Sequence, residues 1–83
     1  MRELRNRLKQ EQSYLIEKDL IPKLYFKEDK ENTEYWVFFY AFVRKLTDLS
    51  ISVRLGYSQQ AISKKVHKIL KNNKTLIETF LDN

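Results

Sequence analysis

The stretch RLGYSQQAISKK, residues 54 to 65, contains the only glycine of the 83-residue chain. Gly56 follows an apolar run, and Ser58 opens a run of amides and lysines. A helix commonly ends next to a residue with a left-handed backbone, which glycine adopts without steric cost. A serine two positions later can accept a hydrogen bond from a free N–H group at the start of the next helix. The stretch therefore predicts two helices joined by a tight turn, as in a helix-turn-helix.

The helices on either side of this turn are predicted by the same kind of signal. The first runs from Asp48 to Leu55 with Thr47 as its cap, and the second runs from residue 58 to about 72. The segment TLIETFL, residues 75 to 81, predicts a short last helix. Apolar residues and one small serine fall where the paired helices need a shared core, namely at Ile51, Ser52, Leu55, Tyr57, Ile62 and Val66.

Two further helices are predicted upstream, and they make the chain all-α. Residues 2 to about 19 carry leucines at helical spacing, Pro22 interrupts the pattern, and the polar loop KEDKEN follows at residues 27 to 32. Asn32 or Thr33 can cap the next helix, over residues 34 to 46. One Gly and one Pro in the whole chain argue against an all-β fold, whose turns need both. We expect a single domain, a small helical bundle in which residues 1–33, 34–72 and 73–83 follow one another.

The helix EYWVFFYAFVRKL, residues 34 to 46, is apolar on two faces. One face carries Trp36, Phe39, Tyr40 and Val43, and another carries Tyr35, Phe38 and Phe42. A helix of this kind is expected to lie between neighbours, so its aromatic residues are predicted to be core. Two alternatives stay open: an aromatic surface on which nucleic-acid bases stack, and a β-hairpin that pairs residues 24–26 with residues 35–39.

The positive charge of the chain is concentrated in one segment. The formal net charge is +5, yet residues 44 to 75 contain eight Lys or Arg and only one acidic residue, Asp48. The excess therefore lies in one contiguous third, which indicates a polyanionic partner such as nucleic acid. A solvated, lysine-rich helix face is the alternative. The chain has no cysteine, no long apolar run and a charged N-terminus without the centre of a secretory signal, so we expect a cytoplasmic protein that does not cross a membrane.

The helix after Gly56 divides into an apolar side and a cationic side. Ile62, Val66 and Ile69 fall inward, whereas the outward side has amides, hydroxyls and cations. Such side chains suit double-stranded DNA, because glutamine and lysine can bind base edges while serine and lysine bind phosphates. We predict base-edge contacts for Gln59, Gln60, Ser63 and Lys64 with His67 at the margin, phosphate contacts for Lys68, Lys71, Arg54 and Arg44, and a place for Ser58 in the same DNA-binding set.

The stretch VFFYAFVRKLTDLSISVRLGYSQQAISKKVHKIL, residues 37 to 70, resembles region four of bacterial sigma factors, the domain that binds the promoter −35 element. The resemblance is carried by Val37-Phe38, Leu46-Thr47, Ile51-Ser52, Leu55-Gly56, Ser58, and Ile62 with Val66. Ser50 stands where the family usually has an acidic residue, and Ser52 where it usually has alanine. The resemblance implies a small sigma-like transcriptional regulator of a bacterium, phage or conjugative element, with RNA polymerase as a second partner. We do not expect a complete sigma factor, because the part that binds the −10 element has no room.

Other classes of function are weighed on the same residues. His67 is the only histidine, and no carboxylate or nucleophile is spaced to lie beside it, so we expect no enzyme, no metal and no cofactor. A protein-interaction module that docks on RNA polymerase or another protein is the main alternative, and an accessory subunit of DNA transfer or packaging machinery is another. Leu76, Ile77, Phe80 and Leu81 are expected to complete the core rather than form a dimer surface. Monomer and homodimer, activator and repressor, and the DNA target stay open.

Overall fold

Six helices and no strand build this chain, whose computed structural model describes residues 1–83. The helices are α1 (Arg2–Gln10), α2 (Ser13–Leu15, continued by a π-helical stretch Ile16–Leu20 and a 3₁₀ turn Ile21–Lys23), α3 (Thr33–Phe38, continued by a π-helical stretch Phe39–Val43), α4 (Asp48–Leu55), α5 (Gln59–Asn72) and α6 (Lys74–Asp82). The all-α prediction is confirmed, and the alternative of a β-hairpin is wrong. None of these helices combines the length and the apolar character that crossing a bilayer requires.

A single cluster of buried apolar side chains holds the helices together. Every helix contributes to it or packs a partly buried side chain against it, and the fully buried members with the largest side chains are Phe38, Phe42, Leu8, Ile16, Leu20, Ile51, Ile62, Ile69, Leu70 and Ile77. Pro22 lies in the 3₁₀ turn that ends the α2 segment, where its fixed φ angle is compatible with the backbone. Ile77 of α6 is core as expected, Phe80 and Leu81 pack partly buried against it, and Leu76 is 42% exposed.

The prediction of one helix over residues 2 to 19 is wrong, because the chain bends between α1 and α2. Glu11 has an extended backbone, so α1 ends at Gln10. The Lys45 ammonium donates to the carbonyl oxygens of Leu8 (3.2 Å) and Glu11 (2.8 Å) at the end of α1, and the Leu8 carbonyl also accepts from the Glu11 N–H (3.1 Å). Partial burial lowers the pKa of Lys45. A side chain more than thirty residues away therefore caps α1, and no local pattern predicts that.

The start of α3 also differs from its prediction, although here the cap comes from a residue nearby in the sequence. Neither Asn32 nor Thr33 caps the helix with its side chain. The Asp29 carboxylate instead accepts hydrogen bonds from the N–H groups of Thr33 (3.0 Å) and Glu31 (3.0 Å). Asn32 adopts a left-handed backbone (φ 52°), so the chain turns sharply into α3 while the carboxylate of the preceding loop satisfies the N–H of Thr33, the first residue of the helix.

The aromatic residues of α3 and its π-helical continuation are only partly core. Phe38 and Phe42 are fully buried, as predicted, with their ring centroids 4.7 Å apart. Trp36 is 39% exposed, contrary to the prediction, and Tyr35, Phe39 and Tyr40 are half-buried. No element covers their side of the helix completely, so these rings shield one another through edge-to-face and stacked contacts.

Asn73 joins the C-terminal helices to the segment before α3. Its side chain is buried, and its Oδ1 accepts from the Tyr25 N–H (2.7 Å) while its Nδ2 donates to the Tyr25 carbonyl (2.8 Å). The same Nδ2 also donates to the Ile69 carbonyl of α5 (2.9 Å). One amide thus satisfies a backbone N–H and two carbonyls, and it holds residues 24–28 against the α5–α6 junction.

Candidate nucleic-acid interface

Helices α4 and α5 are joined by three residues, and each of their predicted signals is confirmed. Gly56 adopts the left-handed conformation (φ 76°, ψ 26°), and the N–H groups of Gly56 and Tyr57 both donate to the Ser52 carbonyl at the end of α4. Ser58 Oγ accepts from the Ala61 N–H (3.1 Å) and caps α5. Thr47 Oγ1 accepts from the Ser50 N–H (3.2 Å) and caps α4 in the same way.

The inner sides of α4 and α5 form the shared core that the sequence predicts. Ile51, Ile62 and Val66 are buried, whereas Leu55 and Tyr57 are half-buried against the same cluster. Ser52 is buried too, and its hydroxyl donates to the Leu49 carbonyl (2.6 Å) within α4. A small side chain that satisfies its own hydroxyl fits where the helices meet, so α5 is held with one side turned away from the core.

The outward side of α5 is cationic, exposed and free of acidic residues. All ten residues predicted to bind DNA are exposed: Arg44, Arg54, Ser58, Gln59, Gln60, Ser63, Lys64, His67, Lys68 and Lys71. The two salt bridges of the chain, Arg5 with Asp48 and Arg7 with Asp82, lie elsewhere. The charge on α5 is therefore not neutralised by a paired carboxylate, and a polyanion could approach it.

Two of the predicted residues lie apart from α5. The Arg54 guanidinium, near the end of α4, lies 5.7 Å from the centroid of the Tyr40 ring. Arg44 ends the π-helical continuation of α3. The structure thus groups Ser58 and seven residues of α5 on one element, and it places the two arginines on the elements that precede it.

Basic residues from outside α4 and α5 border the outward side of α5, and the pattern of the sequence does not predict their position there. Arg2 and Arg5 of α1 line a hollow together with Ser63 and His67. Lys27 of the loop before α3 lines a second hollow with Lys64, Lys65, Lys68 and the carboxylates of Asp29 and Glu34. Helical periodicity could not find Arg2 or Lys27, since their proximity to α5 depends on how the N-terminal segments pack.

Two other surfaces carry exposed apolar side chains. Leu49 and Val53 lie one turn apart on α4 and are 57% and 77% exposed. Trp36 of α3 and Tyr25 of the preceding segment border an open groove that is also lined by Leu24, Phe26 and Tyr35. Surfaces of this kind are typical of contacts with other proteins.

No group of three or more His, Cys, Asp or Glu side chains comes together in the structure. The chain matches no protein-family model, no curated protein and no solved structure.

Proposed function

We propose that this chain binds double-stranded DNA through α5, as the second helix of a helix-turn-helix, and acts as a small transcriptional regulator. One observation carries the proposal: α5 is anchored by its apolar side and exposes an opposite side of Gln60, Lys64 and Lys71, and the helix itself contains no acidic residue. Amides and cations at this spacing suit a major groove bordered by phosphates. The absence of acidic side chains from α5 matters most, because a carboxylate on the helix surface that enters the groove would repel DNA.

The roles of the side chains follow from their places along α5. In a helix-turn-helix the N-terminal residues of the second helix meet the base edges, so Gln59, Gln60, Ser63 and Lys64 would read sequence. Lys68 and Lys71 lie further along the same helix and would bind phosphates, as would Arg44 and Arg54 on the preceding elements. Ser58 lies at the helix start, where its own N–H and the first free N–H groups of α5 can also face a phosphate.

The transcriptional part of the proposal is supported by the resemblance of residues 37 to 70 to sigma region four. It makes a sigma-like regulator of a bacterium, phage or mobile element the first choice, acting without enzymatic activity or cofactor in the cytoplasm. RNA polymerase would then be a second partner.

A salt series tests the proposal directly. We expect the chain to bind duplex DNA in fluorescence anisotropy, with an affinity that falls steeply as salt is added. If α5 and the two arginines neutralise about five phosphates, log K should fall against log salt with a slope near about −4.5. Failure to bind any duplex at low salt, or an affinity independent of salt, would contradict DNA binding.

A pair of variants tests the division between base and phosphate contacts. Gln60→Ala should reduce the discrimination between a selected duplex and a random one by about 1–3 kcal/mol, because it removes a paired hydrogen bond to a base edge. Lys71→Ala should weaken binding to both duplexes equally. If the two variants change the two affinities in the same proportion, the assigned roles are wrong.

A protein-interaction module is the second candidate, and the exposed pair Leu49 and Val53 favours it. Two large apolar side chains one turn apart on α4 expose surface that water does not solvate well, next to a cationic helix. Replacing both by serine should leave DNA binding unchanged if α5 and the two arginines bind the duplex. Under the second candidate, the chain would bind no duplex, and the double substitution would abolish capture of RNA polymerase core enzyme on beads that carry this chain.

A further inference from the structure

Basic side chains from two separate segments lie on opposite flanks of α5. Around the helix, Ser63 and His67 lie on one edge of the outward side, and Lys65 and Lys68 lie on the other edge. The first edge borders a hollow completed by Arg2 of α1, which we name the α1 flank. The second borders a hollow completed by Lys27, which we name the loop flank.

The α1 flank carries positive charge that no carboxylate in the hollow opposes. Its lining includes Arg2, Arg5, Ser63 and His67 and no acidic residue. Arg5 is already engaged, since its guanidinium donates to Asp48 of α4 and ties α1 to α4. Arg2 is exposed and forms no hydrogen bond or salt bridge within the chain. Arg2 is thus held beside α5 with a free guanidinium.

The loop flank contains two carboxylates, and each is hydrogen-bonded to backbone N–H groups, which orient it but leave its negative charge in place. Asp29 accepts from Glu31 and Thr33, and Glu34, which is 5% exposed, accepts from the Lys27 N–H (2.8 Å). Neither carboxylate forms a salt bridge with the lysines that share the hollow. The bond to Glu34 anchors the backbone of Lys27 next to α5, while its ammonium stays exposed.

The width of the major groove explains why positive charge on both flanks of α5 matters. A helix with its side chains is about 10–12 Å across, and the major groove is about 12 Å wide. A helix that fills the groove therefore has the phosphates of one strand along one flank and those of the other strand along its opposite flank. Basic groups on a single flank would meet only one strand.

We propose that Arg2 and Lys27 bind phosphates on opposite strands of the duplex whose major groove α5 occupies. The inference rests on the proposed function and adds two contacts from outside α4 and α5. Each contact releases about one counterion, so both together would steepen the salt slope from about −4.5 to roughly −6. The flanks would then set the register of α5 in the groove without reading bases.

The experiment compares neutralised variants with matched controls on a duplex selected from random sequences. Arg2→Gln and Lys27→Gln should each make the salt slope shallower by about 0.9. Lys9→Gln in α1 and Lys23→Gln in the 3₁₀ turn remove one exposed charge each from positions outside both hollows, and they should leave the slope unchanged. All four side chains are exposed, and equal melting temperatures would verify that the fold is intact.

Neutral methylphosphonate linkages, placed singly along each DNA strand, show which strand Arg2 contacts and which strand Lys27 contacts. A linkage on one strand should weaken DNA binding by the unaltered chain but not by Arg2→Gln. A linkage on the other strand should weaken binding by the unaltered chain but not by Lys27→Gln. Binding of the unaltered chain with slopes for Arg2→Gln and Lys27→Gln equal to the controls would overturn the inference and leave the proposed function standing. If both variants become insensitive to linkages on the same strand, the assignment of Arg2 and Lys27 to opposite strands is wrong. Absence of any duplex binding would overturn both proposals.

Discussion

The two halves of this chain start and end their helices in different ways. In residues 47 to 82, α4 and α5 are capped by the residue directly before each of them, Thr47 and Ser58, and α4 ends at Gly56. In residues 1 to 46, Lys45 caps the end of α1 from across the molecule, and Asp29 caps α3 from within a loop. The end of α1 therefore depends on a residue from a distant part of the chain, whereas the caps of α3, α4 and α5 come from within four positions of the capped residue.

The backbone of the first half shows the same dependence on packing. The segments that follow α2 and α3 are π-helical, Ile16–Leu20 and Phe39–Val43, and they contact each other in the core. Such wide turns are rare without tertiary support. α4 and α5 have no such stretch. The candidate DNA-binding helix α5 therefore belongs to the half of the chain whose helix ends are specified by nearby residues. The N-terminal half packs against α5 and holds it in position.

The largest effect is expected where the two halves are joined, at Asn73. Asn73→Ala should lower the free energy of unfolding by about 3 kcal/mol, because it leaves the N–H and carbonyl groups of Tyr25 without their partner. Urea denaturation followed by circular dichroism measures the change. Asn72→Ala is the matched control, since Asn72 is exposed, and we expect it to change stability by less than about 0.5 kcal/mol. Equal changes in stability for the two variants would mean that the hydrogen bonds of the Asn73 amide do not stabilise the contact between the two halves.

A smaller effect on stability is expected at Gly56, in the turn between α4 and α5. Gly56→Val should cost about 1–3 kcal/mol, because the position has a positive φ that a β-branched residue adopts only with strain. No atom lies within 4 Å of the added Cβ, so the cost belongs to the backbone alone. Gly56→Asn should cost less, since Asn tolerates the left-handed region. Thermal melts of the two variants would contradict this account if Val and Asn were equally tolerated.

The smallest effect concerns pH and the loop carboxylate that caps α3. Hydrogen bonds from the Thr33 and Glu31 backbone lower the pKa of Asp29 in the folded chain. Its contribution to stability is therefore complete above the pKa of Asp29 in the unfolded chain and is lost as the pH falls through the lower pKa of the folded chain. Asp29→Asn should be slightly less stable than the unaltered chain near neutral pH, and the difference should shrink in acid.

Melting temperatures of the two proteins at about pH 6 and about pH 2 measure that difference. Glu28→Gln serves as the control, because Glu28 is an exposed neighbour in the same loop that accepts no hydrogen bond in the structure. A difference that stays constant with pH would mean that the Asp29 carboxylate does not cap α3 in solution.

The residues themselves explain how far the sequence could predict the fold and the site. Thr47, Gly56 and Ser58 each act on atoms within about four positions, so their effects are readable in a short window. The exposure of α5 is readable too, because apolar residues recur at helical spacing on one side only. The aromatic helix misled the prediction, since an apolar pattern reports which residues avoid water but not which neighbours are present to cover them. Trp36 is exposed for that reason.

The amino-acid pattern alone is enough to predict an all-α chain, the ends of α4, α5 and α6 to within a residue or so, and a cationic outward side on α5, because hydrogen-bonding caps, positive φ and amphipathic spacing are short-range properties. Packing between distant segments fixes where α1 stops, which rings stay in water, and the position of Arg2 and Lys27 beside α5. Those features depend on contacts between residues far apart in the chain. Their free energy appears only once the core has brought the segments together.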